Sequence, residues 1–504
     1  MNDKLTAGRR EWIGLAVLVL PCLLVSMDVS VLFFALPFIS ADLGPTATQQ
    51  LWIMDAYGFV LAGLLITMGA VGDRIGRRRL LLIGAAAFGV ASVTAAYSNS
   101  AELLILTRGL LGLAGATLMP STLALIRNMF HDAAQRKTAI AVWTAGLTMG
   151  ATIGPIVGGF LLDHFWWGSA FLINVPAMVL LLVVGPFLLP EFRAPESGRF
   201  DLAGAAISLV AMIAVIYGIK QIAVDGVTAS SVAGLVLGLV LAVAFVHRQR
   251  TTASPLVDVS LFRNRTFSGA VVVSVVSMFC FIGITMYTNQ YLQLVLGMRP
   301  FTAALWSLAV MPGVMICMTI SGVLANKVRV SVLVTSGLVV LAAAFVVLTQ
   351  VRADSPLWLV LVGAGLVASG VLMTVSLLAD LILTAAPAEQ AGAASAVSET
   401  GSELGAALGM AILGSVGAAI YHADMAGHVG SLPPDLARVA QDTLGGAVAS
   451  GDPTVITAAR IAFTEGFTVA ATFGAVVVAL TAVFAYRALR HVPVSVKQEE
   501  AVAA

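Results

Sequence analysis

Several ionisable side chains lie inside long apolar runs of the sequence, and four of them could do chemistry together. Asp28 lies near the middle of the first run, Arg108 lies early in the fourth, and Glu399 and Glu403 lie in the thirteenth. Ionised groups are costly inside a membrane, so those that occur there usually have a function. A carboxylate in an apolar cavity can bind either a proton or an organic cation. These residues therefore predict proton and cation binding.

Asp28 and Arg108 both need an explanation for their depth. No Lys or Arg lies within one helical turn of Asp28, so we expect this carboxylate to face a water-filled cavity. The alternative is a structural carboxyl that is hydrogen-bonded to a neighbouring helix through Ser26 or Ser30. Because an unpaired guanidinium in the membrane would be prohibitive, Arg108 must contact an acid, a backbone carbonyl or water.

Glu399 and Glu403 are spaced so that they share one face of a helix. Two adjacent carboxylates repel each other when both are ionised, so we expect at least one of them to stay protonated near neutrality. A proton carrier needs this property. The alternative is that the thirteenth span begins later, which would leave Glu399 in the cytoplasm.

Asp55 and a set of aromatic and methionine side chains could complete a site for flat cations. Asp55 lies in the outer third of the second span, where a direct role and a place at the membrane interface fit equally well. Aromatic rings and thioethers attract organic cations, although packing is the better explanation for any single one of them. The predicted wall consists of Trp52, Tyr57, Phe281, Met286, Tyr287, Tyr291, Trp306 and Met311.

The composition is that of a helical membrane protein. Of the 504 residues, 59% are hydrophobic and 11% are charged, the mean hydropathy is +0.99, and the apolar residues form long runs. These values exclude a soluble enzyme, and the net charge of +1 gives no case for nucleic acid binding. The three cysteines lack the spacing of metal ligands, and no lysine follows a glycine as a phosphate loop requires. We therefore expect no metal and no cofactor, and an ion gradient as the energy source.

Fourteen apolar segments are long enough to cross a membrane. When both termini are placed in the cytoplasm, most Lys and Arg residues fall on the cytoplasmic side, as the positive-inside rule requires. We expect an all-α integral membrane protein with two six-helix bundles plus two extra transmembrane helices. The predicted spans are 12–36, 51–72, 80–97, 103–126, 139–162, 169–189, 202–224, 231–246, 267–295, 303–324, 330–349, 357–383, 393–421 and 462–486.

These spans divide the chain into blocks. We predict an N-terminal six-helix bundle at 1–190, a linker with spans seven and eight at 191–266, and a C-terminal six-helix bundle at 267–490, followed by a cytoplasmic tail at 491–504. Residues from about 422 to 460 contain several prolines and glycines, and we interpret them as a flexible exterior loop.

The loop after the second span has an ordered glycine, acid and arginine pattern. It reads Gly69-Ala-Val-Gly-Asp73-Arg74-Ile-Gly-Arg77, and a weaker copy with Asn326 in place of the aspartate follows the tenth span. An acid among arginines can form a latch at a cytoplasmic gate. Simple positive-inside anchoring is the alternative, but it explains the arginines and not the ordered glycine and aspartate.

The fifth span has glycines at every fourth position. Gly150, Gly154 and Gly158 share one helical face, and Pro155 adds a bend. This spacing predicts close packing against another helix.

These motifs resemble the major facilitator superfamily. More narrowly, they are similar to its fourteen-span drug/proton antiporters, such as the quaternary-ammonium and multidrug efflux pumps of Gram-positive bacteria and mycobacteria. The resemblance runs along nearly the whole chain. The motifs that carry it are Met27-Asp28-Val29-Ser30, the loop from Gly69 to Arg79, Leu104-x-x-x-Arg108-x-x-x-Gly112, the run from Gly150 to Gly159, and the run from Pro255 to Phe262.

The resemblance implies roles for the charges inside the membrane. Arg108 would take part in proton transfer, and Asp28 would bind a proton or a cation near the cavity. Glu399 matches an acid that is linked to cationic drugs in relatives, and Glu403 matches a second acid nearby.

The resemblance also implies roles for the gate residues. Asp73 and Arg77 would form the latch, and Gly154 and Pro155 would shape the antiport helix. The chain departs from the family pattern at Phe33, where the first motif usually has an asparagine. The second-half loop lacks the aspartate, so its latch is expected to be weaker.

The sequence thus predicts a proton-coupled multidrug efflux antiporter in the bacterial inner (cytoplasmic) membrane that acts as a monomer. Its partners would be protons, the lipid bilayer and small hydrophobic cations such as dyes, quaternary ammonium compounds and fluoroquinolone-like drugs, exported by alternating access. A proton-coupled importer or exporter of an endogenous metabolite is an alternative, although the mostly acidic charges within the spans favour cations. A non-transporting receptor or regulator is another, and the six-plus-two-plus-six layout argues against it.

Overall fold

The computed structural model describes residues 7–192, 201–252, 259–325, 327–386, 391–430 and 432–492. Within these ranges the chain forms helices joined by turns, and no strand. A helix satisfies its backbone hydrogen bonds within one segment, which suits a chain that must cross hydrocarbon. The predicted all-α class is confirmed.

The first half forms a bundle in which α6 and α7 are separated only by Ile173. Its helices are α1 (Arg9–Leu43), α2 (Ala47–Ile75), α3 (Arg77–Ala96), α4 (Ala101–Met129), α5 (Ala133–His164), α6 (Ser169–Leu172) and α7 (Asn174–Leu188). Two further helices follow, α8 (Leu202–Asp225) and α9 (Ala229–Thr251).

The second half forms the other bundle. A short 3-10 helix (Val259–Arg263) precedes α10 (Arg265–Gln290), which continues as a π-helical turn (Tyr291–Val295). The remaining helices are α11 (Pro300–Ala309), α12 (Met311–Ala325), α13 (Val330–Leu348), α14 (Leu357–Ala385), α15 (Ala391–Met425), α16 (Pro434–Asp442), α17 (Leu444–Ala449) and α18 (Pro453–Leu489).

Twelve helices in the described part of the chain are long and apolar enough to cross a membrane. The predicted second span lies in α2, and the predicted seventh lies in α8, whose apolar part, Ala203–Ile219, is shorter. The count of fourteen spans and the orientation of the termini therefore stay predictions.

Glycines bring α5 into contact with α1. Gly150 packs against the backbone of Leu23, Gly154 packs against Met27 and Ser30, and the next glycine of the stripe, Gly158, follows one turn later. A side chain at Gly150 would overlap a backbone carbonyl that cannot move aside. The predicted close packing through this face is confirmed, and Pro155 lies inside the same helix.

The second half repeats this arrangement with a second row of packed glycines, a packing stripe that our sequence analysis missed. Gly405 and Gly409 of α15 lie against the backbone of Val275 and Phe279 of α10. The fifth span of each half therefore packs on the first span of the same half.

The predicted exterior loop contains two short helices, α16 and α17, which the sequence analysis did not predict, and its flexibility stays a prediction. The Tyr421 hydroxyl donates a hydrogen bond of 2.8 Å to the carbonyl of Ala440 in α16. The prolines misled the prediction because Pro434 and Pro453 each lie in the first turn of a helix, where the missing N–H has no intrahelical partner to lose.

The cap, which consists of α16 and α17, also joins the second half to the first. Gly445 lies against Ser40 of α1, and His422 Nε2 lies 3.6 Å from Asp442 Oδ1. Burial raises the pKa of the Asp442 carboxyl, although the charges of His422 and Arg438 act in the opposite direction. We call this end of the bundle, which is the predicted exterior, the capped end.

Packing between the halves is concentrated at the capped end. Arg299 Nη2, just before α11, lies 3.3 Å from Asp163 Oδ2 of α5. Gly159 of α5 packs on Phe301 of α11, and α2 packs on α15. The additional helix α8 lies against both α2 and α15, so it covers this seam.

We expect Gly150→Ala to lower the melting temperature of the purified protein. Its new methyl group would lie 3.1 Å from Leu23 Cα and closer still to the Leu23 carbonyl oxygen, and such overpacking costs roughly 1–3 kcal/mol. The matched control is Gly313→Ala in α12, where nothing lies within 4 Å of the added Cβ. Thermal unfolding in detergent checks this, and equal melting temperatures for the two variants would contradict it.

Candidate functional site

An ion pair between Asp28 of α1 and Arg108 of α4 lies inside the first half. Arg108 Nη1 donates to Asp28 Oδ2, and each side chain is 1% exposed. Arg108 Nε donates a second hydrogen bond of 3.1 Å to the carbonyl of Ile53 in α2. The prediction that Arg108 must have an acid, a carbonyl or water as partner is confirmed.

The expectation that Asp28 is unpaired and faces a water-filled cavity differs from the structure. Asp28 is only 4% exposed, and its cation comes from a helix that is distant in the sequence. The structure agrees better with the alternative, a carboxyl hydrogen-bonded to a neighbouring helix, although the partner is Arg108 and not Ser30, whose hydroxyl donates to the Met27 carbonyl. Ionic pairing and burial replace the solvation that we expected.

Asn174 of α7 and Ser92 of α3 support the ion pair, and sequence reasoning missed both. Asn174 Nδ2 lies 3.4 Å from Asp28 Oδ1 and 3.3 Å from the Ser92 hydroxyl. The amide thus connects Asp28 to a third and a fourth helix. An asparagine in an otherwise apolar run was the available signal, because a buried amide needs partners.

Tyr57 of α2 packs against this pair. Arg108 Cζ lies 4.7 Å from the centroid of the Tyr57 ring, a cation–π distance, and Tyr57 is 1% exposed. Of the predicted aromatic wall, Tyr57 is the ring that the structure places beside the ion pair.

Glu403 points away from α10. It lies two positions from Gly405 of the packing stripe, and residues two apart differ by about 200° around a helix. Glu399 lies about one turn before it on α15. Glu403 is half-buried and Glu399 is exposed, and their carboxylates interact electrostatically. Among the described residues, no cation lies within ion-pair distance of either. Both residues fall inside the membrane-length segment Val397–Met425.

Asp55 and Trp52 lie elsewhere on α2. Asp55 is fully buried, and its place relative to the membrane interface stays a prediction. Trp52 packs edge-on against Phe59, with ring centroids 6.2 Å apart, next to a small cluster that includes Ile216 of α8 and Ala407 of α15. Trp52 therefore lies at the seam between the halves.

The remaining predicted aromatic residues serve packing in the second half. The Tyr287 hydroxyl donates to the carbonyl of Leu413, 2.8 Å away, and the Tyr291 hydroxyl donates to that of Arg352, 2.7 Å away. Both tyrosines are almost fully buried, and Trp306 is 42% exposed on α11. The structure does not bring these three rings to the ion pair.

The first turn of α3 binds an acid that the sequence analysis did not single out. The carboxylate of Glu191, just beyond α7, accepts a hydrogen bond of 3.2 Å from the Arg78 N–H. It also lies 3.7 Å from Arg78 Nε and 3.8 Å from Arg79 Nε. Gly76 allows the turn because its φ is +110°, a value that side chains disfavour.

The predicted latch residues are only partly described. A Cβ at Gly69 would make ordinary van der Waals contact, so no close helix approach depends on this glycine. Arg77 is 9% exposed, and Arg74 is exposed. The side chain of Asp73 and the second-half residue Asn326 lie outside the described residues.

We expect Asp28 and Arg108 to be energetically coupled. Asp28→Asn or Arg108→Gln alone leaves one buried partner without its charge complement, which costs roughly 3–5 kcal/mol, whereas the double variant removes both charges. The destabilisation of the double variant should therefore be smaller than the sum of the two single ones.

Melting temperatures of the three variants in detergent measure this coupling. Arg127→Gln, an exposed arginine at the end of α4, combined with Asp28→Asn is the matched control and should be additive. Additive behaviour of the Asp28–Arg108 pair would show that the ion pair does not contribute as the geometry indicates.

Known proteins resemble this chain along most of its length. Residues 19–410 match the family model described as the Major Facilitator Superfamily. The chain is 43% identical over 480 residues to the multidrug efflux pump LfrA of Mycolicibacterium smegmatis, which covers 93% of this chain and 94% of that protein. It is 36% identical over 479 residues to the methyl viologen resistance protein SmvA of Salmonella typhimurium, with 92% and 94% covered.

A solved structure shows the same fold. It is a bacterial homolog of the human lysosomal transporter Spinster in an inward-facing and unoccupied conformation, with a TM-score of 0.68, 16% sequence identity, and coverage of 96% of this chain and 98% of that chain. Because the family model matches more than half of the sequence and the relatives align almost from end to end, the chain belongs to the Major Facilitator Superfamily.

Proposed function

We propose that this protein is a multidrug efflux antiporter of the bacterial cytoplasmic membrane, which exports hydrophobic cations in exchange for protons. The observation that carries the proposal is the contrast between its acids. Asp28 has a cationic partner, whereas Glu399 and Glu403 have none among the described residues. Two acids in a membrane helix without a cation are suited to binding protons or a cationic substrate.

The names of two relatives support export of such compounds. One is a multidrug efflux pump, and the other confers resistance to methyl viologen, which is a flat organic dication. A pair of carboxylates would repel an anionic substrate and would provide no charge attraction for a neutral one.

Exchange follows from competition for the same carboxylates. A bound cation favours the ionised acid and expels its proton, and protonation removes the charge that holds the cation. Linkage makes the two effects reciprocal. Exchange of one proton for a monovalent cation is electroneutral, and each additional proton contributes about 2.3 kcal/mol per 100 mV of membrane potential. The proton gradient supplies the energy, and no cofactor is needed.

The ion pair would transmit the protonation state across the site. A proton on Asp28 removes its attraction for Arg108, which then has the Tyr57 ring and the Ile53 carbonyl as its remaining partners. The ion pair and the acids of α15 belong to one chain, so exchange by this scheme needs only a monomer.

The contacts between the halves favour a conformation that is closed at the capped end and binds substrate from the cytoplasm. Packing at the capped end, including the Arg299–Asp163 ion pair, closes the predicted exterior. Substrate would then reach Glu403 from the opposite end or from the inner leaflet. Release outside requires these contacts to separate, together with those of the cap on α1.

We expect bacteria that express the protein to retain less ethidium than cells without it, and a protonophore to abolish the difference. Glu399→Gln with Glu403→Gln should slow ethidium efflux roughly tenfold or more, since a loss of 1.4 kcal/mol already gives a factor of ten. Fluorescence of preloaded cells measures the rate.

The matched control is Asp380→Asn, an exposed acid near the end of α14, which should pump normally. Surface amounts of each variant are compared by immunoblot of membranes. Unchanged efflux by the Glu399/Glu403 variant, or ethidium retention that expression does not alter, would contradict the proposal.

A further inference from the structure

A surface groove of the second half is lined by four basic side chains. It lies between the beginning of α10 and the end of α18, opposite the capped end, and has a volume of about 830 Å³. The basic residues that line it are Arg265, Arg487, Arg490 and His491. They come from two segments more than two hundred positions apart in the sequence, so the fold assembles this cluster.

The described structure provides no acid to neutralise these arginines. Arg265, Arg487 and Arg490 are exposed, and the ion pairs found among the described residues involve none of them. The His491 ring is fixed by Thr266, with 2.9 Å between Nε2 and Oγ1. The groove is therefore built to attract an anion.

An exposed apolar strip runs from the basic cluster along α18. Leu480, Val483 and Phe484 line the same groove and are 67%, 54% and 43% exposed. They belong to the membrane-length helix Pro453–Leu489, one to two turns before Arg487. The arginines would lie at the predicted membrane surface, and the apolar strip beside them would face hydrocarbon. This combination complements a lipid that has an anionic headgroup and an acyl chain.

We propose that this groove binds an anionic phospholipid of the inner leaflet. Arg265, Arg487 and Arg490 hold the headgroup phosphate, and an acyl chain lies along Leu480 and Phe484. The bound headgroup connects the start of α10 to the end of α18. The groove is distinct from the transport site, because its positive charge repels the cations that the acids of α15 attract.

Native mass spectrometry of the full-length protein tests this binding. The protein is transferred from micelles that contain phosphatidylglycerol or, separately, phosphatidylcholine, and retained lipid is counted as a function of its concentration. We expect wild type to prefer phosphatidylglycerol. The variant R265Q/R487Q/R490Q should bind it roughly tenfold more weakly or worse, because each arginine near the surface contributes to anionic lipid attraction.

The matched control is R9Q/R127Q/R329Q, which removes three exposed arginines at the same end of the bundle but outside the groove. It should bind phosphatidylglycerol within about twofold of wild type if the groove is the site. A melting temperature that phosphatidylglycerol raises in wild type and in the control, but not in the groove variant, would support the same conclusion.

Three outcomes would overturn the proposal. Equal weakening in the groove variant and the control would show diffuse surface attraction. Displacement of the lipid by an equal concentration of inorganic phosphate would assign the cluster to a free anion. Lipid binding that appears only in E499Q/E500Q, which neutralises two acids of the tail outside the described residues, would assign the groove to the chain's own tail.

Discussion

Charge inside a helical membrane bundle must be compensated, because hydrocarbon supplies no water to solvate it. Asp28 meets this constraint with Arg108 and Asn174, which belong to two other helices. Glu399 and Glu403 meet it in another way, since the described residues give them no cation. We propose that a proton or a cationic substrate compensates them, and that alternation between the two is the basis of exchange.

The glycine stripes explain how these acids reach the seam between the halves. Gly405 and Gly409 bring α15 against the backbone of α10, and this orientation turns Glu403 to the side of the helix away from α10. The same packing of α5 on α1 fixes the helix that carries Asp28. The same glycine packing in both halves thus fixes the helices that carry the paired acid and the unpaired acids. The helix α8 covers the seam from outside, so the additional pair of helices does more than connect the halves.

The sequence was informative where the signal is local. Long apolar runs predicted the helices, and the spacing of Gly150, Gly154 and Gly158 predicted their contact, since both depend on neighbours within a few turns. The need of Arg108 for a partner followed from its depth, but the partner is 80 residues away, and only the tertiary fold identifies it. Glu191 was missed for the same reason, because it is 113 residues from Arg78. The helices α16 and α17 were missed because prolines such as Pro434 occur in the first turn of a helix as well as in loops.

Proton release on substrate binding tests the central claim most directly. Purified protein in weakly buffered detergent solution is mixed with ethidium, and a pH-sensitive dye reports protons while ethidium fluorescence reports binding. The account predicts that wild type and Asp380→Asn release protons as ethidium binds, and that Glu399→Gln with Glu403→Gln releases none. Saturable binding of ethidium to wild type without any release of protons would contradict it.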